Sequence, residues 1–485
     1  MNGQPAPSTG GEIRNYVGGS TVEASGQGTV EVLNPADGAT LAWFRESTAV
    51  DVDKAVRAAS AAFPSWAART PRDRANLLRR IADAMEAHLD ELAKLEVVDA
   101  GKPWSASRGI ELPGLLDALR LFAGLPGIGS AQPAGEYHEG HTSFLRREPI
   151  GVAAAITPWN YPLWQAIWKI APALAVGNTV VVKPAEDTPL STLRFVELAG
   201  EILPPGVLNL VHGRGDTTGQ ALVAHPEVGV VSFTGSTRAG RVIAAVAAAG
   251  PKRLVLELGG NAPVIVFDDV DLERTAYHVA GTALFNAGQE CMAATRVIVQ
   301  EGLHDRFVEA VAGAMESLTV MGDPLDPATN LGPLISAAQR DRVQALVDGV
   351  PGRAKVVLGG RPADGAGYFY PPTLVTGLEQ SDEIVQTEIF GPVATVQSFA
   401  DEAQAIALAN DVEQGLAGSV WTRDVGRAMR VANAIEFGSV WINTHMAHGP
   451  EMPVGGFRGS GYGKEGGLAG LDEFSRTKQI TVNLH

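Results

Sequence analysis

Among 485 residues the chain has a single cysteine, Cys291. It stands in the segment FNAGQECMAATR, behind a glycine and ahead of small residues that read as a helix start. A thiol at a helix N-terminus has its thiolate favoured by the helix dipole. The competing reading is a buried core cysteine, and the polar Gly-Gln-Glu run argues against it. No His/Asn pair suited to a protease-like triad stands out. Glu257 ends a β-rich run and opens onto Leu258, Gly259, Gly260 and Asn261, where a carboxylate is a general base or else a solvated or helix-capping acid. Asn160, in TPWNYP, can donate its amide to a developing oxyanion; the alternative is an Asx turn ahead of Pro162. Lys183 and Glu186, in VVKPAED, are spaced to bracket a vicinal diol such as ribose, or to form a surface ion pair. A glutamate that accepts from a 2′-hydroxyl repels a 2′-phosphate, which favours NAD and leaves NADP weaker. Gly213, Gly215 and Gly219 approach a dinucleotide glycine loop but miss its spacing by one. Ser236, in FTGST, is placed to cap a helix and to hold a phosphate at its N-terminus.

These residues need elements to position them. Short β-rich runs at 152–157, 179–183, 207–213, 230–234 and 254–258 alternate with helical segments, which implies βαβ units and a parallel sheet. Ligands of such sheets sit beyond the carboxyl ends of the strands, where Asn160, Lys183, Ser236 and Glu257 all fall. A second alternating series, at 263–267, 296–300, 355–360, 394–399, 418–422 and 439–443, predicts a second α/β domain. Ahead of both, an apolar stripe predicts helices at 51–63 and from Pro71 to Val98, the latter stopped by Gly101. The alternating run 477–484 reads as an edge strand that invites pairing with another chain.

The composition, 45% hydrophobic with 56 scattered glycines and 30 prolines, is that of a folded multi-domain protein. A net charge of −16 without basic clusters opposes nucleic-acid and membrane-surface partners. One cysteine forbids an internal disulfide and a cysteine-rich zinc site, and no metal is expected. No apolar run reaches the ~18 residues of a membrane span, and the polar N-terminus shows no secretory signal. A cytoplasmic location is the expectation.

Seven motifs in order, TPWNYP, VVKPAE, FTGST, ELGG, GQEC, EIFGPV (388–393) and SGYGKE (460–465), resemble the aldehyde dehydrogenase superfamily over about residues 12–485. The resemblance implies that Cys291 is the nucleophile, Glu257 the base that activates a deacylating water, and Asn160 an oxyanion donor together with the Cys291 backbone N–H. It makes Lys183 and Glu186 binders of the adenosine ribose and Ser236 a pyrophosphate contact. Trp159 and Gly215 fall on the adenosine side, Glu388 and Phe390 at the nicotinamide ribose, and Thr157, Gly219, Phe233 and Leu258 complete the NAD set. It further implies a Rossmann-type NAD-binding domain (12–133 and 154–257), an α/β catalytic domain (258–466), a small β oligomerisation element (134–153 and 467–485) and a flexible tail (1–11). The assembly would be a homodimer or homotetramer.

Within the superfamily the nearest resemblance is to bacterial γ-aminobutyraldehyde dehydrogenases, carried by ELP (111–113), GEYHEGHTS (135–143), GQEC, WINTH (441–445) and EMP (451–453). That implies 4-aminobutanal or a similar ω-aminoaldehyde as substrate. Tyr161, Trp164 and Trp168 share one helix face at i, i+3 and i+7, where they hold an ammonium by cation–π attraction, roughly 0.5–2 kcal/mol, or only pack. Glu290 precedes the cysteine, Glu111 and Asp117 assist at the tunnel entrance, and Phe285 closes the tunnel. Plant betaine aldehyde relatives carry a tryptophan where this chain has Val454, which lowers betaine aldehyde as a substrate. Generic aliphatic aldehydes stay open, as does a protein that kept the fold and lost activity. The presence of Cys291, Glu257 and Asn160 opposes the last, and Glu257 opposes a CoA-acylating variant.

Overall fold

The computed structural model describes residues 10–127 and 133–485. Of the expected tail, residues 1–9 lie outside the described residues, and Gly11 already begins a strand, Gly11–Ile13.

Five parallel strands form the centre of the first sheet. Arg253–Leu258, Val228–Gly235, Val152–Ile156, Thr179–Lys183 and Leu208–Leu210 lie side by side in that order. Successive side chains point to opposite faces, and both faces are buried. Ala153, Ala155, Val180 and Val182 join one apolar cluster, with Leu163, Ile167 and Ile170 of the helix Pro162–Val176. Val152, Ala154, Ile156 and Val181 join another, with Val52, Ala55, Val56 and Ala59 of the helix Ala49–Ala67. Continuous burial on two faces explains why these strands read as near-unbroken apolar runs. Chain order reverses between Val152–Ile156 and Val228–Gly235, which opens a crevice at their carboxyl ends. The edges carry short antiparallel strands: Asn15–Val17 and Ser20–Val22 on one side, Gly461–Tyr462 on the other. Gly461–Tyr462 therefore leaves the 258–466 part and adds to the first sheet beside Glu257.

The second sheet has six parallel strands and an antiparallel edge strand, Lys355–Leu358. Its central strands are Pro263–Val266, Arg296–Gln300, Val393–Phe399 and Ala417–Trp421. A third, three-stranded sheet pairs Ser475–Asn483 antiparallel with His141–Pro149 along nine residues, and the other edge of Ser475–Asn483 is unpaired among the described residues. Among the described residues no helix is long and apolar enough to cross a membrane.

The single helix expected from Pro71 to Val98 is two, Pro71–Ala87 and Leu89–Ala100. Thr70 caps the first by accepting from the Asp73 N–H, with Pro71 in the first turn. His88 breaks the run at φ −112°, ψ 20°, and its ring nitrogen reaches the Ala84 carbonyl at 2.8 Å, the group a continuing helix would pair with the His88 N–H. Gly101 ends the second helix in the left-handed region at φ 73°. A Cβ there would fall 2.8 Å from Cγ of both Pro35 and Pro333. Gly101→Ala should therefore cost about 1–3 kcal/mol. It should appear as a lower midpoint in urea unfolding; an unchanged midpoint would contradict this packing.

Candidate functional site

Only four residues, 259–262, join the carboxyl end of Arg253–Leu258 to the amino end of Pro263–Val266. The carboxyl ends of the first sheet thus meet the amino ends of the second. A cavity of about 800 Å³ opens there. It brings together Cys291, Glu257 and Asn160 with Trp159, Ser236, Leu258, Glu388 and Phe390, and with Tyr161, Trp164, Trp168, Glu111, Phe285 and Glu290. Backbone contact sets the approach: a Cβ on Gly260 would lie 1.9 Å from the Cys291 carbonyl oxygen, so only glycine lets the two segments touch.

No helix begins at Cys291. The residue sits in a turn closed by the Ala293 N–H on the Glu290 carbonyl at 3.0 Å, and the chain then enters the strand Arg296–Gln300. The expected dipole is absent because the β-branched run RVIVQ draws the segment into the sheet. The thiol donates to Glu290 Oε1 at 3.3 Å, and the Met292 N–H donates to the same oxygen at 3.0 Å. Burial, and then the Glu290 and Glu257 carboxylates, push the Cys291 thiol well above its usual range. Glu257 has Oε1 buried without a partner, and burial followed by the neighbouring Glu465 pushes its carboxyl up to about 8. Asn160 Nδ2 donates across the chain to the Gln289 carbonyl at 3.0 Å, not to a local turn. One of its two amide hydrogens is thereby held, leaving the second for a ligand.

The crevice suits a dinucleotide. Thr157 Oγ1 is buried at the switch point with no partner. Ser236 caps the helix Thr237–Ala247 by accepting from the Ala239 N–H at 3.2 Å, which leaves its hydroxyl proton and the first-turn N–H groups for a phosphate. Lys183 is 2% exposed, so its 3.6 Å pair with Glu186 is no surface ion pair. Its amine donates to the Gly213 carbonyl at 2.8 Å, while Glu186 remains a third exposed. Gly215 opens, and Gly219 closes, the π-helical turn that follows. Thr157, Lys183, Glu186, Gly215, Gly219 and Phe233 stand outside the lining of the main cavity. The buried Phe233 ring folds back against Gly235. Glu388 Oε1 accepts from the Gly260 N–H at 2.8 Å, and burial pushes its carboxyl up to about 7. Phe390 is held at φ 57° with its ring edge-on to Trp159 at 5.2 Å and its carbonyl bound by Gln339 Nε2 at 2.7 Å.

On the substrate side two expectations change. Asp117 is exposed on the helix Leu112–Gly124 and does not line the cavity, because the lining face of that segment is the one carrying Glu111 and Gly114. Glu111 does line it, but it is no free acid at an entrance: its Oε2 is paired with the buried Lys102. Lys102 also holds Glu96 at 3.1 Å and sits 4.1 Å over the Tyr161 ring, the position expected for a substrate cation. Glu111 Oε1 is buried without a partner, and burial, against the pull of Lys102, raises its carboxyl to about 7. Trp164 stacks on Trp168 at 5.7 Å, with His448 edge-on to both. Sequence reasoning gave no role to Lys169, or to Glu465 at the end of SGYGKE; both are buried and paired at 2.6 Å. Glu465 lines the cavity and supplies the charge that raises Glu257. A lysine inside the apolar run AIWKIAPALAV was the available signal, since a buried lysine needs an acid partner.

The aldehyde dehydrogenase family profile matches residues 21–480. A phenylacetaldehyde dehydrogenase of Pseudomonas fluorescens is 41% identical over 478 residues, 96% of this chain and 95% of that protein. The crystal structure of a betaine aldehyde dehydrogenase from Staphylococcus aureus in complex with NAD⁺ matches with a TM-score of 0.94 at 38% identity, covering 97% of this chain and 95% of that one. An NAD-dependent aldehyde dehydrogenase from Sinorhizobium meliloti matches at 0.95 and 37% identity over 99% and 95%. A thiol, a buried carboxyl and a side-chain amide meeting beside a dinucleotide crevice, in a chain matched along almost its whole length, carry one conclusion: it belongs to the aldehyde dehydrogenase family and is an NAD-dependent aldehyde dehydrogenase.

Proposed function

We propose that the substrate is an ω-aminoaldehyde such as 4-aminobutanal, oxidised to the carboxylate. The observation that carries this reading is Glu111 Oε1, a buried carboxylate oxygen in the cavity wall without a hydrogen-bond donor. Around the Tyr161 ring the acids Glu96, Glu111 and Glu290 outnumber the neighbouring cation, Lys102. A primary ammonium brings both the missing positive charge and N–H donors. A trimethylammonium brings charge without donors and would leave Glu111 Oε1 unsatisfied. A second reading, an arylacetaldehyde, draws on the stacked Trp164 and Trp168 walls and on the 41% identity to a phenylacetaldehyde dehydrogenase.

In this reading the Cys291 thiolate attacks the aldehyde carbon, and Asn160 with the Cys291 N–H stabilises the oxyanion. The thiol proton has an acceptor in place at Glu290 Oε1. Bound NAD⁺ supplies the acceptor for the hydride that the thiohemiacetal releases. Lys183, Glu186, Ser236, Glu388 and Phe390 would hold that cofactor. Glu257 then takes a proton from water as it attacks the thioester, and Cys291 leaves as thiolate.

Glu257 works as a base only when ionised, so with its carboxyl near 8 the deacylation rate should rise with pH through about 8. Glu257→Gln should keep a pre-steady-state NADH burst, show almost no steady-state turnover and lose that pH limb; normal turnover would remove Glu257 from the role. Cys291→Ala should abolish turnover while NAD⁺ still binds in a fluorescence titration.

The substrate class is decided by kcat/KM for 4-aminobutanal, 3-aminopropanal, betaine aldehyde, succinic semialdehyde, phenylacetaldehyde and hexanal. Glu111→Gln should lower the 4-aminobutanal value about tenfold, ~1.4 kcal/mol at the transition state, and leave hexanal unchanged; Glu290→Gln, which also removes the acceptor of the thiol proton, should lower both and 4-aminobutanal by the larger factor. An equal fall for both aldehydes would assign these acids to the machinery instead of amine recognition. A panel led by phenylacetaldehyde would favour the second reading.

A further inference from the structure

Against the residue that follows Cys291 lies a buried hydrogen-bond chain that the reaction as written does not use. His445 is 2% exposed. One of its ring nitrogens, Nε2, lies 2.7 Å from the carbonyl oxygen of Met292, the residue that follows Cys291. The other, Nδ1, lies 2.9 Å from Ser419 Oγ, and Ser419 Oγ accepts from Trp421 Nε1 at 3.0 Å. We propose that His445 is a positioning residue that clamps the Cys291 turn through the Met292 carbonyl, with its tautomer set by Ser419.

The proton arrangement follows from the chemistry of each group. A carbonyl only accepts, so His445 Nε2 carries a hydrogen. Trp421 only donates, so the Ser419 hydroxyl proton is free to point at His445 Nδ1. The neutral imidazole is then a donor at one end and an acceptor at the other. Burial keeps it neutral, holding the ring down at about 4 with the nearby His278 adding to the effect. His278 fixes the backbone as well: its Nε2 takes the His445 N–H at 3.0 Å, the nearer of its two contacts with that residue. The His278 ring rests on Trp421 at 5.1 Å, and the His445 ring lies 5.0 Å from Trp441, so each imidazole packs against an indole.

Both backbone polar groups of Met292, the residue after the nucleophile, are therefore held. Its N–H goes to Glu290 Oε1 at 3.0 Å and its carbonyl to His445. Cys291 directly precedes this doubly anchored residue, and Met292 itself lines the cavity. Ser419 and His445 form a hydroxyl–imidazole pair, but Ser419 is 0% exposed and His445 Nε2 is occupied, so the pair serves geometry and not nucleophilic attack. A tilt of the Met292 carbonyl would swing Sγ away from a bound carbonyl carbon, and misplacement of about 1 Å can cost on the order of a hundredfold in rate.

This inference rests on Cys291 being the nucleophile, and the test separates the two. The measured quantities are the NADH burst rate constant, the KM for aldehyde and the Kd for NAD⁺, with 4-aminobutanal and hexanal as substrates. His445→Leu keeps the bulk and removes both ring nitrogens. It should slow the burst about tenfold for both aldehydes while KM and Kd stay within about twofold. His445→Gln, which can place an N–H near the original Nε2, should restore the burst to within about threefold of wild type. A His445→Leu burst equal to wild type, or a His445→Gln burst as slow as His445→Leu, overturns the clamp. If His445→Leu does not fold, Ser419→Ala decides by the same measurements. A burst slowed at least about threefold at constant KM supports the clamp, and an unchanged burst overturns it. Cys291→Ala runs alongside: retained turnover there would remove the nucleophile reading itself, whatever the His445 variants do.

Discussion

The structure depends on the contact between Gly260 and the Cys291 carbonyl. Two parallel sheets are joined end to end by residues 259–262, and the join leaves no space for a side chain where the chain doubles past the nucleophile segment. Everything at the site inherits its position from that contact. Glu257 lies at the end of one sheet, Cys291 ahead of a strand of the other, and Glu388 bonds the Gly260 N–H at 2.8 Å from a third segment. The glycine pair in ELGG is thus a packing requirement with a chemical consequence, since it sets how closely a base and a thiol can share one cavity.

Burial of charge is the second organising feature. The cavity wall holds two lysine–carboxylate clusters, Lys169 with Glu465 and Lys102 with Glu96 and Glu111. Each cluster is desolvated, and only the second holds more carboxylates than lysines. Burial, and then the Glu465 charge, raises the Glu257 carboxyl to about 8; burial, against the pull of Lys102, raises the Glu111 carboxyl to about 7. Removing one partner from such a cluster leaves an uncompensated charge, which is far more damaging than the pair is stabilising. These lysines therefore shape the cavity's electrostatics without facing a ligand directly. The thiol responds to the same field, because burial and two carboxylates oppose its ionisation. Under the proposed substrate, a cationic ligand beside Glu290 would work in the opposite direction and link substrate charge to nucleophile activation.

The five central strands of the first sheet and all of the second but Thr373–Thr376 were legible in the sequence, because a strand buried on two faces writes itself as a short apolar run. Thr179–Lys183 and Arg296–Gln300 match their runs residue for residue. Cys291, Glu257 and Asn160 stood out because each is a reactive type in a glycine- or proline-marked turn, and the motif order named their family. Glu290 stood out as an acid beside the only thiol. What the sequence could not supply was direction and partnership. Whether residue 88 continues a helix depends on a side-chain bond to a carbonyl one turn back. Whether Asp117 or Glu111 faces the cavity depends on the rotation of one helix. That Lys102 fills the place over Tyr161, that Lys169 meets Glu465 across 296 residues, and that His445 grips Met292 across 153 are long-range pairings. Residue type and periodicity act over a few positions and so fix the elements; desolvation and pairing act through space and are decided only when the chain closes on itself.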